Sequence, residues 1–92
     1  MSTPEVETIE ETTVGDLDGA RVPMAQVTTD DYTRADGSVA HGRVCVLVLP
    51  GAGPTWVGAG SVVDVAGTRW EVLSVVKEPG ELGEVTLRRL EA

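Results

Sequence analysis

Pro50-Gly51-Ala52-Gly53 follows the apolar run Val44-Cys-Val-Leu-Val-Leu49. A glycine-rich turn after a strand is where a dinucleotide pyrophosphate could sit. That chemistry needs a third glycine and a helix whose N-terminus faces the phosphates. Position 56 is Trp, no amphipathic helical pattern follows, and no Lys-Ser or Lys-Thr pair supplies a phosphate loop. Asp30, Asp31 and Asp36-Gly37 offer oxygen ligands, but Tyr32 and Arg34 stand where a calcium loop alternates in further oxygens. A hairpin turn with solvated acids fits better. His41 is the single histidine and lacks a second His or Cys nearby to seed a metal site, and no Gly-x-Ser-x-Gly elbow offers a nucleophile. Cys45, the lone cysteine, lies inside the apolar run and reads as a small buried hydrophobe. Trp56 and Trp70 could stack on bases or sugars. Trp70 alternates with charged neighbours in a strand pattern and belongs to the core. Trp56 sits between glycine-rich breaks, either as an interface anchor or as a loop pinned to the core. No catalytic, cofactor-binding or metal-ligating set is expected.

The elements that would hold these residues are small. Ninety-two residues make one domain, with no Phe, one Tyr and two Trp. A domain of this size buries only about 60% of its unfolded surface, so neighbours in an assembly would add stability. The chain carries 15 acids against 7 Lys and Arg, a net charge of −8. Phosphate-backbone binding needs clustered positive charge, which argues against a nucleic-acid reader. The acidity serves solubility, or a surface past which DNA slides without sticking. One thiol and no export signal fit the cytoplasm, and no apolar run approaches the roughly 20 residues of a membrane helix.

Residues 1–20 hold six acids (Glu5, Glu7, Glu10, Glu11, Asp16, Asp18) and no base. Ser2-Thr-Pro-Glu5 could cap a helix, but Thr8, Thr12 and Thr13 are poor helix formers, and a flexible acidic arm is the expectation. Residues 21–92 are expected to form the folded domain. Strand patterns cover residues 21–29, with Pro23 suited to an edge, and 43–49, whose unbroken apolar run needs cover on both faces. Residues 30–42 read as a polar loop turning at Asp36-Gly37. Residues 55–57 form a short strand or an anchored loop. Residues 61–65 and 68–76 form a hairpin turning at Ala66-Gly67, and 84–90 the last strand. In 68–76 the apolar parity breaks near Leu73, which a bulge would explain. The expected fold is all-β, with five short antiparallel strands forming a partly open barrel or a small sandwich.

Three segments resemble the head-tail connector, or stopper, proteins of tailed phages, especially actinobacterial siphoviruses. They are the apolar strand Val46-Leu-Val-Leu-Pro50-Gly51, the strand-turn-strand Ser61-Val-Val-Asp-Val-Ala-Gly67-Thr-Arg-Trp70-Glu-Val72, and the ending Val85-Thr-Leu-Arg88-Arg89-Leu-Glu-Ala92. They cover roughly the C-terminal half. The resemblance implies an SH3-like β-barrel, a cyclic and dodecameric ring, and head closure between the portal or adaptor protein and the tail terminator or tail protein. It implies packaged DNA passing through the lumen without sequence-specific binding, location in the virion neck, and no catalysis, cofactor, metal or membrane. Residues 30–42, or the stretch opening with Pro50, Gly51, Ala52, Gly53 and Pro54 and running to residue 60, would form the lumenal gate. Trp56, Arg88, Arg89, Glu10 and Glu11 would serve contacts. A tail-completion or capsid decoration protein, and a bacterial SH3-like protein-binding adaptor with Trp56 and Tyr32 in its groove, fit the same residues.

Overall fold

A computed structural model describes residues 6–17 and 19–90. Its strands are β1 (Val6–Glu10), β2 (Val14–Leu17), β3 (Ala20–Thr33), β4 (Val39–Leu49), β5 (Gly53–Gly58), β6 (Val62–Val65), β7 (Thr68–Val76) and β8 (Glu84–Arg89). They form two antiparallel sheets, ordered β1-β8-β7-β6 and β2-β3-β4-β5. The expected all-β class is observed, but the ladders do not close into a barrel.

The flexible-arm expectation is corrected for residues 6–17. β1 pairs with β8 from Val6↔Arg88 to Glu10↔Glu84, and β2 pairs with β3 from Val14↔Pro23 to Leu17↔Ala20. Ile9 and Leu17 are buried in the common core, while Glu10 and Asp16 stay exposed. The density of acids conceals two short β-patterns, each with one core anchor. Met1–Glu5 and Asp18 lie outside the described residues, and so does the Ser2 cap.

The polar loop at 30–42 is also corrected. Residues 30–33 and 39–42 extend β3 and β4 as a paired hairpin, with Asp31↔His41 and Tyr32↔Ala40 in register. The expected turn at Asp36-Gly37 closes it: Gly37 N–H donates to Arg34 O at 3.0 Å, and the Asp36 carboxylate accepts from the Ser38 amide at 2.9 Å and its hydroxyl at 2.6 Å. Those bonds, the hydroxyl's first, hold the Asp36 carboxyl below its ordinary value. Polar residues here mark an exposed hairpin rather than an irregular loop.

Two bulges set the core parity. On β3 the register shifts between Ala25 and Val27, and Gln26 takes φ 46°. Val22, Met24 and Val27 therefore all turn toward the core although their spacing changes from two to three. On β7 the shift falls between Val72 and Ser74, where the sequence pattern places it, and Leu73 is the extra, exposed residue. Pro23 precedes the β3–β4 ladder, which opens at Met24↔Leu47, so its missing N–H interrupts no bond there. The β6–β7 hairpin turns on Ala66 (φ 51°) and Gly67 (φ 87°), the pair of positive angles that a two-residue type I′ turn requires.

The core between the sheets is aliphatic around one aromatic residue. Ile9, Leu17, Met24, Leu47, Val72 and Leu87 pack with Trp70, which is 0% exposed. Cys45 belongs to the same cluster, and burial pushes its thiol up to about 12, with the charge of Glu11 a smaller cause. At neutral pH that thiol is protonated and unreactive.

Candidate functional site

The unbroken apolar run of β4 builds the site. Cys45, Leu47 and Leu49 face the core, so Val44, Val46 and Val48 face the other way. On that outer face Val44 stands opposite Gly58, Val46 opposite Trp56, and Val48 opposite Pro54. Val44 and Val46 are only 1% and 9% exposed, whereas Val48 is 36% and Trp56 52% exposed. Ala25 continues the row of Val46 onto β3, and the pair Val14–Pro23 carries the apolar surface to β2. The result is an apolar sheet surface with a half-exposed indole on the edge strand β5.

One border of this surface is a latch. The Tyr32 ring lies over Gly58, where an added Cβ would sit 2.6 Å from ring atoms, and its hydroxyl donates to Ala59 O at 2.8 Å. Ala35 N–H donates to Gly60 O at 3.0 Å, and the Ser61 hydroxyl reaches Thr33 O at 3.4 Å. Gly58 and Gly60 thus form a floor without side chains on which the β3–β4 hairpin rests. We predict that Gly58→Ala costs about 1–3 kcal/mol by forcing the phenol off that floor. Tyr32→Phe should cost about 1 kcal/mol, the worth of one hydrogen bond. Urea denaturation of both variants checks the order.

The sequence-predicted residues fare differently. Gly53 and Pro54 are strand residues of β5, so the proposed gate stretch narrows to a turn of Pro50, Gly51 and Ala52. Ala52 N–H donates to Leu49 O at 3.1 Å, and Gly51 takes φ 79°, as the third position of a type II turn after proline requires. Trp56 is on a strand and partly exposed. Arg88 is tied to Glu71 at 2.5 Å on the outer face of the other sheet, and Arg89 lies next to it on β8. Glu10 is exposed opposite Glu84.

Glu11 is a clamp rather than a free contact residue. Its carboxylate accepts from Lys77 Nζ at 2.6 Å, the Gly83 amide at 3.0 Å and the Val27 amide at 3.3 Å. Lys77 first, then the Gly83 amide, holds its carboxyl below the ordinary value. One side chain thereby ties the β1–β2 corner to β3 and to the loop before β8.

His41 and Asp31 form an exposed pair at 2.7 Å on the β3–β4 hairpin. An open groove of about 470 Å³ is lined by Tyr32, Arg43, Ala59, Val76, Lys77 and Pro79. Among the described residues no group of three or more His, Cys, Asp or Glu is placed to hold a metal ion, and no helix is long and apolar enough to cross a membrane. Comparison with family models, curated proteins and solved structures finds no match to the chain.

The sequence reading missed Val14, Pro23 and Ala25 as parts of the apolar surface, because they come from two strands whose pairing only the fold reveals. The signal for the surface itself was present in Val44–Leu49, where strict alternation fails.

Proposed function

We propose that this chain is a structural virion protein of the phage neck. In this reading it is a head-closure subunit whose copies form a ring between the portal or adaptor and the tail. The observation that carries the reading is the apolar outer face of the β2-β3-β4-β5 sheet, an area of valine, proline and tryptophan on a small, strongly acidic all-β chain. Such a surface suits packing against another protein. The three segments that resemble connector proteins supply the end of β4 with the turn after it, β6 with the first half of β7, and most of β8. The two sheets then correspond to an opened SH3-like barrel.

In this reading the acidic exterior lets DNA pass without gripping it, since like charges disfavour contact with phosphate. The turn at Pro50, Gly51 and Ala52 and the β3–β4 hairpin are the gate candidates in this reading. Retention of DNA would depend on the rim that many such turns and latched hairpins form together in the ring.

The test is electron microscopy of phage lysates made with and without the gene product. We expect separate tails and leaking or empty heads in its absence, rescued by adding the purified protein. Normally joined particles without it would overturn the proposal, and a complete but fragile shell would reassign the chain to decoration.

A further inference from the structure

The outer faces of the two sheets differ in a way that the fold alone does not require. An antiparallel sheet with one face in water normally alternates apolar and polar residues. The β1-β8-β7-β6 sheet does so over most of its outer face, where Thr8 bonds Thr86 at 3.2 Å and Arg88 pairs with Glu71, with Val6, Leu73 and Val76 as the exposed apolar exceptions. The β2-β3-β4-β5 sheet does not, because Val48, Pro54 and Trp56 continue its apolar character on the outer side.

We propose that a second copy of this chain covers this face, presenting the outer face of its β1-β8-β7-β6 sheet around Leu73, Val76, Glu10 and Glu84. This rests on the ring reading and names the surfaces that the ring would use.

Three observations select that occupant. The first is charge. Glu10 and Glu84 stand directly opposite each other, an unfavourable cross-strand pair, and no ion pair reaches either among the described residues. Arg21 is exposed at the border of the apolar face and also makes no ion pair among the described residues. Its cross-strand neighbour Asp16 accepts from the Gly19 amide at 2.7 Å. Arg21 of one copy can therefore supply the cation that the acid pair of the next lacks. The second is apolar complementarity. Val76 stands beside Glu84 in the register, and Val76 and Leu73 are 47% and 40% exposed, a counterpart for Trp56 and Val48.

The third is size and geometry. Four strands about 4.8 Å apart and about three rows deep give roughly 300 Å² of flat face. A stable free pair needs about 800 Å² per partner. Any single contact through this patch falls short of that, and a face-to-face dimer has no second contact to add and leaves Glu10 and Glu84 unpaired. The outer faces of two packed sheets lie on opposite sides of the molecule, so joining one kind to the other is head-to-tail and gives each copy two contacts. Such an arrangement closes into a ring if the rotation allows.

The test is disulfide trapping of the full chain at high concentration under mild oxidation. Cys45 is buried, so introduced thiols dominate the reaction. Val48→Cys with Val76→Cys in one chain should give a ladder of linked oligomers, and Val48→Cys alone only the background of a Ser38→Cys control. Arg21→Glu should lower the ladder about threefold, the scale of an exposed ion pair, and Glu84→Arg in that background should restore it. Dimers from Val48→Cys alone at the yield of the double variant would overturn the head-to-tail contact. No trapping above control would overturn the contact between copies altogether. The two readings fail separately: a lost ladder with heads that still leak without the protein removes only these surfaces, and a ladder with normally joined particles removes only head closure.

Discussion

Trp70→Ala is expected to remove about 3–5 kcal/mol of stability, the usual cost of emptying a buried aromatic site. A domain of this size has about 5–15 kcal/mol in total, so the variant should lose a large share of its stability and unfold at a much lower urea concentration. The reason is local. Trp70 is the one aromatic residue in a core of valines, leucines and isoleucine, and it is 0% exposed. No neighbouring aliphatic residue has the volume to fill the space. Trp70→Phe should behave differently. The indole Nε1 is buried without a hydrogen-bond partner among the described residues, and an unpaired buried donor costs about 1–3 kcal/mol. Phenylalanine removes that donor while leaving a smaller void. Its net cost should therefore stay below about 2 kcal/mol. Urea denaturation followed by circular dichroism measures both. If Trp70→Phe proves as damaging as Trp70→Ala, the indole N–H is satisfied in solution and the explanation fails.

The second large effect is expected at Glu11, and it depends on pH. Glu11→Ala removes the acceptor for Lys77, the Gly83 amide and the Val27 amide together, loosening β1–β2, β3 and the loop before β8 at once. Glu11→Gln keeps an acceptor oxygen but loses the charge, so it should be the milder change. The folded protein holds the Glu11 carboxyl below its ordinary value of 4.5. The folded state therefore favours the ionised form. The stabilisation is complete above the unfolded value and is lost as pH falls through the lowered folded one. The urea midpoints of wild type and Glu11→Gln should differ by a constant amount above about pH 5.5 and converge as the solution is acidified below 4.5. Asp36, held low by Ser38, adds to the acid limb of both proteins equally and cancels in the comparison. A constant difference down to the lowest pH would mean that the clamp acts by shape and not by charge.

How far the sequence discloses the molecule differs from segment to segment. The β6–β7 hairpin was readable because Ala66-Gly67 separates two valine-rich runs, and the bulge at Leu73 because a parity change in a strand has few other causes. That parts of both faces of β4 are covered was readable from its unbroken apolar run, since Val44 and Val46 on the outer side are buried as well. β1 and β2 were not, because acids and threonines outnumber Ile9 and Leu17, and one core anchor per strand leaves too little period to detect. The clamp at Glu11 was also hidden. Its partners stand 16, 66 and 72 residues away, and no local pattern distinguishes it from Glu10. In each case the legible features are those fixed by neighbours in sequence, and the hidden ones are fixed by neighbours in space.

The position of β8 has a consequence for how the molecule comes into being. Residues 84–89 run between β1 and β7, so the last of these eight strands to be synthesised is an inner strand of its sheet. Until it emerges, β1 has no ladder partner, and Ile9 lacks the strand that carries Val85 and Leu87 into the core. The nascent chain can form the hairpins of β3–β4 and β6–β7 early, because their pairings are local. The first sheet must wait for residues 84–89 and must then pair strands that lie at opposite ends of the eight-strand order. Such distant pairings slow folding. A cell making many copies would hold each of them for a time with β1 and β7 unjoined, and only chains that had completed this last step would present both sheets.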